Sequence, residues 1–236
     1  MNNPEFNNSI IFIADNPILN PTRTKEYQNL SINYSVYLNT LLFSNWVEII
    51  STLKSQFGIS YFLDKNDEEY LPKYLIPQNS NSIFYNRLNL AKFSQHFGKY
   101  TSGNTSKILL LFYNSLGLTQ DDLIRVFDLI QSDEPSIVIG KSVRDQIVFI
   151  CTSGNDLNLI DQLFQAERKY NKYLKSISNK DIFIHTLENF LAINDFEDIK
   201  KLYIELSKKE SLSYCSQKIH ESFNDLFIEY KELLNG

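Results

Sequence analysis

Short apolar runs recur between residues 9 and 151, and polar or turn-forming residues bound each of them. The runs lie at 9 to 14, 59 to 64, 82 to 85, 107 to 113, 136 to 140 and 146 to 151. Runs of this length and composition are typical of strands that are buried on both faces, as in a sheet covered by helices. The pattern therefore predicts a sheet built from these segments.

Helical patterns separate most of these strands. Apolar residues at spacings of three and four extend from Tyr34 to Leu53, and a similar stripe runs from 88 to 97. Thr119 is a predicted helix N-cap, because Asp121 and Asp122 follow it and favour the first turn of a helix. The alternation of strands and helices predicts one mixed, mainly parallel sheet with helices on both faces.

The chain from 136 onwards adds two further expectations. The connection from Lys141 to Asp145 is tight and polar, and it predicts a hairpin-like pair of strands. After residue 154 the pattern becomes helical, with Asp195 as the predicted cap of one helix and an amphipathic helix from 213 to 234. We expect residues 1–208 to form one α/β domain and residues 209–236 to form a helical appendage.

The amphipathic C-terminal helix must cover its apolar stripe. It can pack on the α/β domain or on a partner chain, which leaves a homo-oligomer open.

Composition and charge narrow the class of partner. The chain has 236 residues, a net charge of -5 and a pI near 5.3, so nucleic acid is not an expected partner. The basic stretch from Arg168 to Lys180 is interpreted as the solvated face of a helix. The acidic residues Asp67, Glu68 and Glu69 are interpreted as a solvated turn.

Cysteine usage and the N-terminal segment predict the compartment. Only Cys151 and Cys215 are present in a chain of this size, which favours a reducing cytosol. The apolar run at 10 to 14 is too short for a signal peptide or a membrane span. We therefore expect a cytoplasmic protein without a membrane partner.

Most catalytic motifs are missing from the sequence. It contains 7 glycines and neither a Gly-rich phosphate loop nor a Walker A motif, which argues against dinucleotide and P-loop chemistry. One basic pair, Arg23 and Lys25, follows the first predicted strand, where an open α/β sheet would place a phosphate-bearing ligand. An ordinary polar loop would explain the spacing of this pair equally well.

Four segments, in order, carry a family resemblance: NPILNPTRTK at 16 to 25, FYNSLGLT at 112 to 119, VIGKSVRDQIVFI at 138 to 150 and FLAINDFEDIKKLY at 190 to 203. Together they resemble a bacterial family of GT-A-like transferases, glycosyltransferase-like proteins related in fold to small nucleotidyltransferases. The first family segment ends Lys-Thr-Arg, where this chain has Arg23, Thr24 and Lys25.

The acidic positions of the family motifs are altered in this chain. Asn114 stands at the Asp of Gly-x-Asp-x-Pro-x-Leu, and Ala192 and Asn194 replace the two acids of Asp-Ile-Asp. Gly140 is kept, but the run from Arg144 to Ile147 stands where Asp-Gly-Gly-Tyr belongs. Acids at these strand ends hold Mg²⁺ or Mn²⁺ in GT-A-like sites, so the resemblance implies a metal whose ligands are absent here. We expect no metal cofactor.

The resemblance implies a three-layer, Rossmann-like and GT-A-like fold over residues 9 to 207. It also implies a glycosyltransferase- or nucleotidyltransferase-like protein that has lost its metal-dependent chemistry and still binds a nucleotide or nucleotide sugar. The residues expected to bind that ligand are Arg23, Lys25, Asn114, Lys141, Arg144 and Asn194. We further expect Asn114 and Asn194 to meet at a cleft with Arg23 or Lys25 on its rim.

Two alternatives to this function stay open. The first is a metal-independent transferase, in which the basic residues stabilise the leaving phosphate. The second is a non-enzymatic binding or scaffold protein that uses the C-terminal helix as its partner surface.

Overall fold

Eight strands form one sheet in the computed structural model of the protein, which describes residues 6–78, 80–101, 107–130, 134–153 and 156–235. The strands are β1 (Asn8–Ile13), β2 (Gly58–Asp64), β3 (Asn81–Tyr85), β4 (Lys107–Phe112), β5 (Ser115–Leu116), β6 (Ser136–Ser142), β7 (Ile147–Ser153) and β8 (Phe183–Ala192). Their order across the sheet is β3-β2-β1-β4-β7-β6-β8-β5. The apolar runs of the sequence coincide with β1 to β4, β6 and β7, so those strand predictions are confirmed.

The strand directions bring several strand ends to one edge of the sheet. β1 to β4 run parallel to one another, β7 runs antiparallel between β4 and β6, and β6 pairs parallel with β8. The predicted hairpin joins β6 to β7, and the Ser142 N–H donates to the Gln146 carbonyl oxygen at 2.8 Å. The carboxyl ends of β1, β2, β3, β4, β6 and β8 therefore share one edge.

The expectation of helices alone after residue 154 is wrong at β8. This strand lacks a continuous apolar run, because His185 and Glu188 interrupt it. Its pairing with β6 also shifts register between Leu187 and Phe190, where Asn189 adopts a φ of 75°. Such a bulge breaks the period of two that would reveal a strand in the sequence.

The helices occupy the segments between the strands and the C-terminal region. They are α1 (Ile32–Ser51), α2 (Phe93–Thr101), α3 (Gln120–Asp128), α4 (Leu157–Gln165), α5 (Tyr170–Ile177), α6 (Phe196–Leu206), α7 (Gln217–Glu229) and α8 (Lys231–Asn235). Thr119 and Asp195 cap α3 and α6 as predicted. The helical pattern at 88 to 97 begins as a 3₁₀ segment, Arg87–Lys92, and the predicted C-terminal helix divides at Tyr230.

Apolar layers cover both faces of the sheet. β4 contributes to both layers, since Leu109 and Leu111 face one side whereas Leu110 and Phe112 face the other. α1 and α3 pack on the first face, and α2, α4 and α5 pack on the second. The predicted three-layer α/β architecture is confirmed.

A third apolar cluster joins the C-terminal helices to the domain. Phe223 and Phe227 of α7 are buried together with Leu38 and Leu42 of α1 and with Leu202 of α6. The apolar stripe of the terminal helix therefore packs within the chain, and the division at residues 208 and 209 stays a prediction. Within the residues that the structure describes, every helix is too short or too polar to cross a bilayer.

Asp67 does not belong to a solvated turn, so that interpretation is wrong for this residue. Its side chain is fully buried and accepts hydrogen bonds of 2.8 to 2.9 Å from the backbone N–H groups of residues 18 to 20. Glu68 and Glu69 are exposed, as expected. A polar group without water needs such partners, and the loop from 14 to 31 supplies them.

Candidate functional site

Loops from three strands meet at the carboxyl edge of the sheet. β1 and β4 stay in register to their last residues, with Ile13 opposite Phe112, and the Tyr113 N–H donates to the Ile13 carbonyl oxygen at 3.1 Å. β5 then pairs with the end of β8, and the Ile193 N–H donates to the Asn114 carbonyl oxygen at 2.8 Å. These ladders fix the loops after β1, β4 and β8 side by side, at the edge where open α/β sheets bind ligands.

Asn114 and Asn194 meet at this edge, as the sequence predicted. The Asn114 Nδ2 group donates to Asn194 Oδ1 at 3.1 Å and to the Ile193 carbonyl oxygen at 3.2 Å. Asn114 is buried, and α1 supports its loop because the Trp46 Nε1–H donates to the Ser115 carbonyl oxygen at 2.7 Å. The two amides are thus held in one orientation.

Arg168 is the cation that binds the side chain of Asn114. Its Nη1 and Nη2 groups donate to Asn114 Oδ1 at 3.3 and 3.2 Å, and its Nε lies 3.3 Å from Asp15 Oδ2. Its guanidinium carbon lies 4.1 Å from the centre of the Phe112 ring. With its amide oxygen turned to the guanidinium, Gln146 accepts from Nε and Nη2 at 3.0 Å. The interpretation of residue 168 as part of a solvated face is wrong, because Arg168 is only 5% exposed.

The end of α4 delivers Arg168 to the site. The Glu167 N–H donates to the Phe164 carbonyl oxygen and the Arg168 N–H to that of Leu163, the paired bonds of a Schellman C-cap. Glu167 and Arg168 both adopt left-handed φ angles, 56° and 57°. The Arg168 carbonyl oxygen then accepts from the Ile147 N–H at 2.8 Å, which ties this turn to the start of β7.

Two open clefts border the site. The first, of about 630 Å³, is lined by Pro17, Asn20, Arg23, Asp64, Lys65, Asn66, Glu68, Glu69, Tyr70, Asn86 and Arg87. The second, of about 420 Å³, is lined by Asp15, Asn16, Arg87, Leu88, Leu90, Ala91, Gln146, Phe164, Glu167, Arg168 and Asn194. Arg87 lies on the border between them, and both clefts open along the ends of the strands.

The two basic candidates in the loop after β1 lie at different places. Lys25 Nζ donates to the Asn194 carbonyl oxygen at 2.6 Å, so Lys25 lies beside the amide pair. Arg23 lines the first cleft only. The sequence predicted Arg23 or Lys25 on the rim of a cleft at the amide pair. Lys25 contacts Asn194 but, within the described part of the chain, lines neither cleft.

The two basic candidates of the β6–β7 hairpin are engaged by acids. Lys141 Nζ lies 3.1 Å from Glu188, and Arg144 Nη1 lies 2.6 Å from Asp195 and 3.0 Å from Asp198. Burial opposes the charge of Asp195, but Arg144 and neighbouring backbone N–H groups outweigh it and hold the pKa of Asp195 below its ordinary value. Neither basic group lines the two clefts within the described part of the chain.

Comparisons with known proteins identify the fold of this chain. No family model matches the chain, and no curated protein matches it either. A solved structure from Desulfovibrio desulfuricans G20, provisionally named a nucleotide-diphospho-sugar transferase, superposes with a TM-score of 0.75 at 14% identity and covers 98% of both chains. The chain has a GT-A-like fold.

Two further solved structures share this GT-A-like fold at lower scores. The 4-diphosphocytidyl-2C-methyl-D-erythritol synthase from Anaerococcus prevotii DSM 20548 has a TM-score of 0.53 at 13% identity and covers 86% of this chain and 99% of its own. A cytidylyltransferase from Leptospira borgpetersenii serovar Hardjo-bovis has a TM-score of 0.53 at 14% identity and covers 98% and 97%.

The donor atoms at this edge do not fit the divalent cation that the GT-A-like resemblance implies. Mg²⁺ and Mn²⁺ prefer charged oxygen ligands, whereas Asn114, Asn194 and Gln146 supply neutral amides. The nearby carboxylates are already paired: Asp15 with Arg168, and Asp195 and Asp198 with Arg144. Over the ranges that the structure describes, no group of three or more His, Cys, Asp or Glu side chains could hold a metal ion.

Sequence reasoning missed four residues that line the second cleft together with Asn194: Asp15, Arg87, Gln146 and Arg168. Arg87 follows β3 and Asp15 follows β1, so both could have been found by listing the polar residues just after each predicted strand. Arg168 gave no such indication, because it follows a helix and only the tertiary fold brings it to the end of β4.

Proposed function

We propose that this protein binds a nucleotide or nucleotide sugar at the carboxyl edge of its sheet and that it has lost metal-dependent transfer. The observation that carries the proposal is the contact of the buried Asn114 with Asn194 beside Arg168. Amides stand where a metal site would need carboxylates, yet the surrounding strands, the clefts and the basic side chains are kept. A phosphate-bearing ligand fits such an edge, because Arg and Lys pair with phosphate oxygens.

Arg87 is the side chain through which this proposal is best tested. It is exposed and lines both clefts, so a ligand in either one comes within its reach. The names of the structural neighbours, a nucleotide-diphospho-sugar transferase and cytidylyltransferases, support phosphate-bearing ligands of the same class. Cytidine nucleotides are therefore the first ligands to try.

Calorimetry in the presence of a chelator gives the direct test. The ligands are CTP, CDP, UDP, UDP-glucose and free cytidine, and we expect saturable binding of at least one phosphorylated ligand and none of cytidine. Arg87→Ala should weaken that binding about tenfold or more, since a hydrogen bond to a charged group contributes about 1.5–3 kcal/mol. Arg125→Ala removes an exposed arginine of α3 that lines neither cleft and should leave the affinity unchanged.

Failure of every phosphorylated ligand to bind would contradict the proposal and favour the scaffold alternative. Release of nucleotide from UDP-glucose or a CDP-linked donor in the same chelator buffer would favour the metal-independent transferase instead. Binding without turnover is the outcome that the proposal expects.

A further inference from the structure

We propose that Arg168 is the resident cation of this site. Its guanidinium supplies, between Asp15, Asn114 and Gln146, the positive charge that a divalent ion would bring, and it excludes such an ion from the same place. An anionic ligand would then bind without metal, a consequence that rests on the proposed function.

The surroundings of Arg168 form a built site for a cation. The guanidinium is nearly excluded from water and lies over the Phe112 ring, an arrangement that favours a cation by its electrostatics. A buried charge is tolerated only when it is paired and hydrogen-bonded, and Asp15, Asn114 and Gln146 meet that requirement. The Asp15 carboxylate balances the charge of the guanidinium, and the amides of Asn114 and Gln146 accept hydrogen bonds from it. No further negative charge among these groups is left to bind a metal ion.

The backbone supports the same assignment. The described part of the chain has left-handed φ angles at five residues other than glycine: Asn29, Asp145, Glu167, Arg168 and Asn189. Asn and Asp tolerate this region, whereas Glu and Arg seldom adopt it. Unfavourable backbone angles persist where surrounding contacts fix them, and here they place the Arg168 side chain at the end of β4.

The amide of Asn114 is matched to this cation. Its Oδ1 accepts from Arg168, while its Nδ2 donates to the Ile193 carbonyl oxygen and to Asn194 Oδ1. A carboxylate at 114 would face both of those oxygens without a hydrogen to donate. It would also attract the guanidinium directly, so new carboxylates at 114 and 194 should pair with Arg168 before they bind a metal.

Manganese titrations without nucleotide test this inference separately from the proposed function. We expect no Mn²⁺ binding by the unmodified protein and weak or no binding by Asn114→Asp/Asn194→Asp. Adding Arg168→Gln to that pair should strengthen Mn²⁺ binding at least tenfold. Adding Arg125→Gln instead is the matched control, because it removes an exposed arginine of α3 that lines neither cleft, and it should not create the metal site.

Three outcomes would overturn the inference. The first is equal Mn²⁺ affinity with and without Arg168→Gln, and the second is a comparable gain with Arg125→Gln. If the Arg168→Gln variant does not fold, the pH dependence of Asn114→Asp decides. A carboxyl that pairs with Arg168 has a lowered pKa, so this variant should lose stability relative to the unmodified protein as the pH falls below about 4. A relative gain of stability in that range is the third outcome.

A second experiment measures the binding of a nucleotide, chosen as one that binds in the presence of a chelator. Its affinity should change less than twofold when Mg²⁺ replaces the chelator, and a tenfold gain with Mg²⁺ would overturn the metal-independent part. If no nucleotide binds at all, the proposed function fails while the manganese result on Arg168 stands by itself.

Discussion

Asp67 shows how one buried carboxylate fixes the geometry of a binding loop. Its two oxygens accept from the N–H groups of Ile18, Leu19 and Asn20, and so they hold the loop that carries Arg23 and Lys25. Burial raises the pKa of Asp67, and the three N–H groups oppose this without cancelling it. The Asp67 carboxylate therefore holds the loop in place, although removing its charge from water is unfavourable.

We expect Asp67→Asn to destabilise the protein by about 1–3 kcal/mol. The NH₂ group of the new amide would face a backbone N–H group, and neither of these two donors would have an acceptor. In a chain of this size the thermal midpoint should fall by about 2–4 °C for each kcal/mol. Glu68→Gln, a change of the same kind at the exposed neighbouring position, is the control and should have little effect. Equal midpoints for the two variants would show that the Asp67 carboxylate does not fix the loop.

The positions of individual site residues were predictable from the sequence where those residues follow the end of a strand. Asn114 and Asn194 follow β4 and β8 closely, and the family pattern placed them together before the structure did. Arg168 could not be placed in this way, since its partners Asp15 and Asn114 are remote in sequence and a basic stretch is usually solvated. Burial of a charge depends on tertiary contacts that no local pattern records.

At the scale of elements, the β6–β7 hairpin depends on Gly140. A Cβ atom there would lie 2.0 Å from the Phe149 ring, well inside van der Waals contact. Phe149 is fully buried and pairs with Phe190 of β8 at a centroid distance of 5.5 Å, so the ring has little room to move. The glycine lets the aromatic ring lie across the strand.

Gly140→Ala should destabilise the protein by about 1–3 kcal/mol, because overpacking forces the ring and the backbone to shift. Gly98→Ala is the matched control within α2, where the added Cβ would meet only Leu157 at 3.5 Å. That change should be neutral or stabilise by about 0.5–1 kcal/mol, as expected for alanine in a helix. Denaturant titrations of both variants measure the difference, and equal midpoints would contradict this account of Gly140.

The strands in the middle of the sheet were predictable from the sequence, whereas β8, near one edge, was not. β4 has helices on both faces and reads as a continuous apolar run, Lys107–Phe112 with five buried residues. β8 lies near the edge, exposes Phe183 and Ile184, and contains the bulge at Asn189. A strand of that kind has neither the apolar run nor the alternation on which sequence analysis depends.

At the scale of the whole molecule, buried tyrosines near the site make the stability of the protein depend on pH in the alkaline range. Burial raises the pKa values of Tyr27, Tyr85 and Tyr113 above the ordinary value of 10. The Tyr27 hydroxyl donates to Asn39 at 2.9 Å and that of Tyr85 to the Ala14 carbonyl oxygen at 2.6 Å, next to Asp15. The hydroxyls of Tyr27 and Tyr85 must be neutral to donate these hydrogen bonds, which tie the loop after β1 to α1 and to the end of β3.

A raised pKa fixes the sign of the pH dependence. The folded protein resists ionisation of these tyrosines, so the stability they contribute is fully present below pH 10 and is lost as the pH rises above it. We expect part of the tyrosinate absorbance to appear only in a cooperative step, together with the loss of far-ultraviolet circular dichroism. A single smooth titration of all tyrosines near pH 10, with the circular dichroism unchanged, would show that Tyr27, Tyr85 and Tyr113 are not shielded from water.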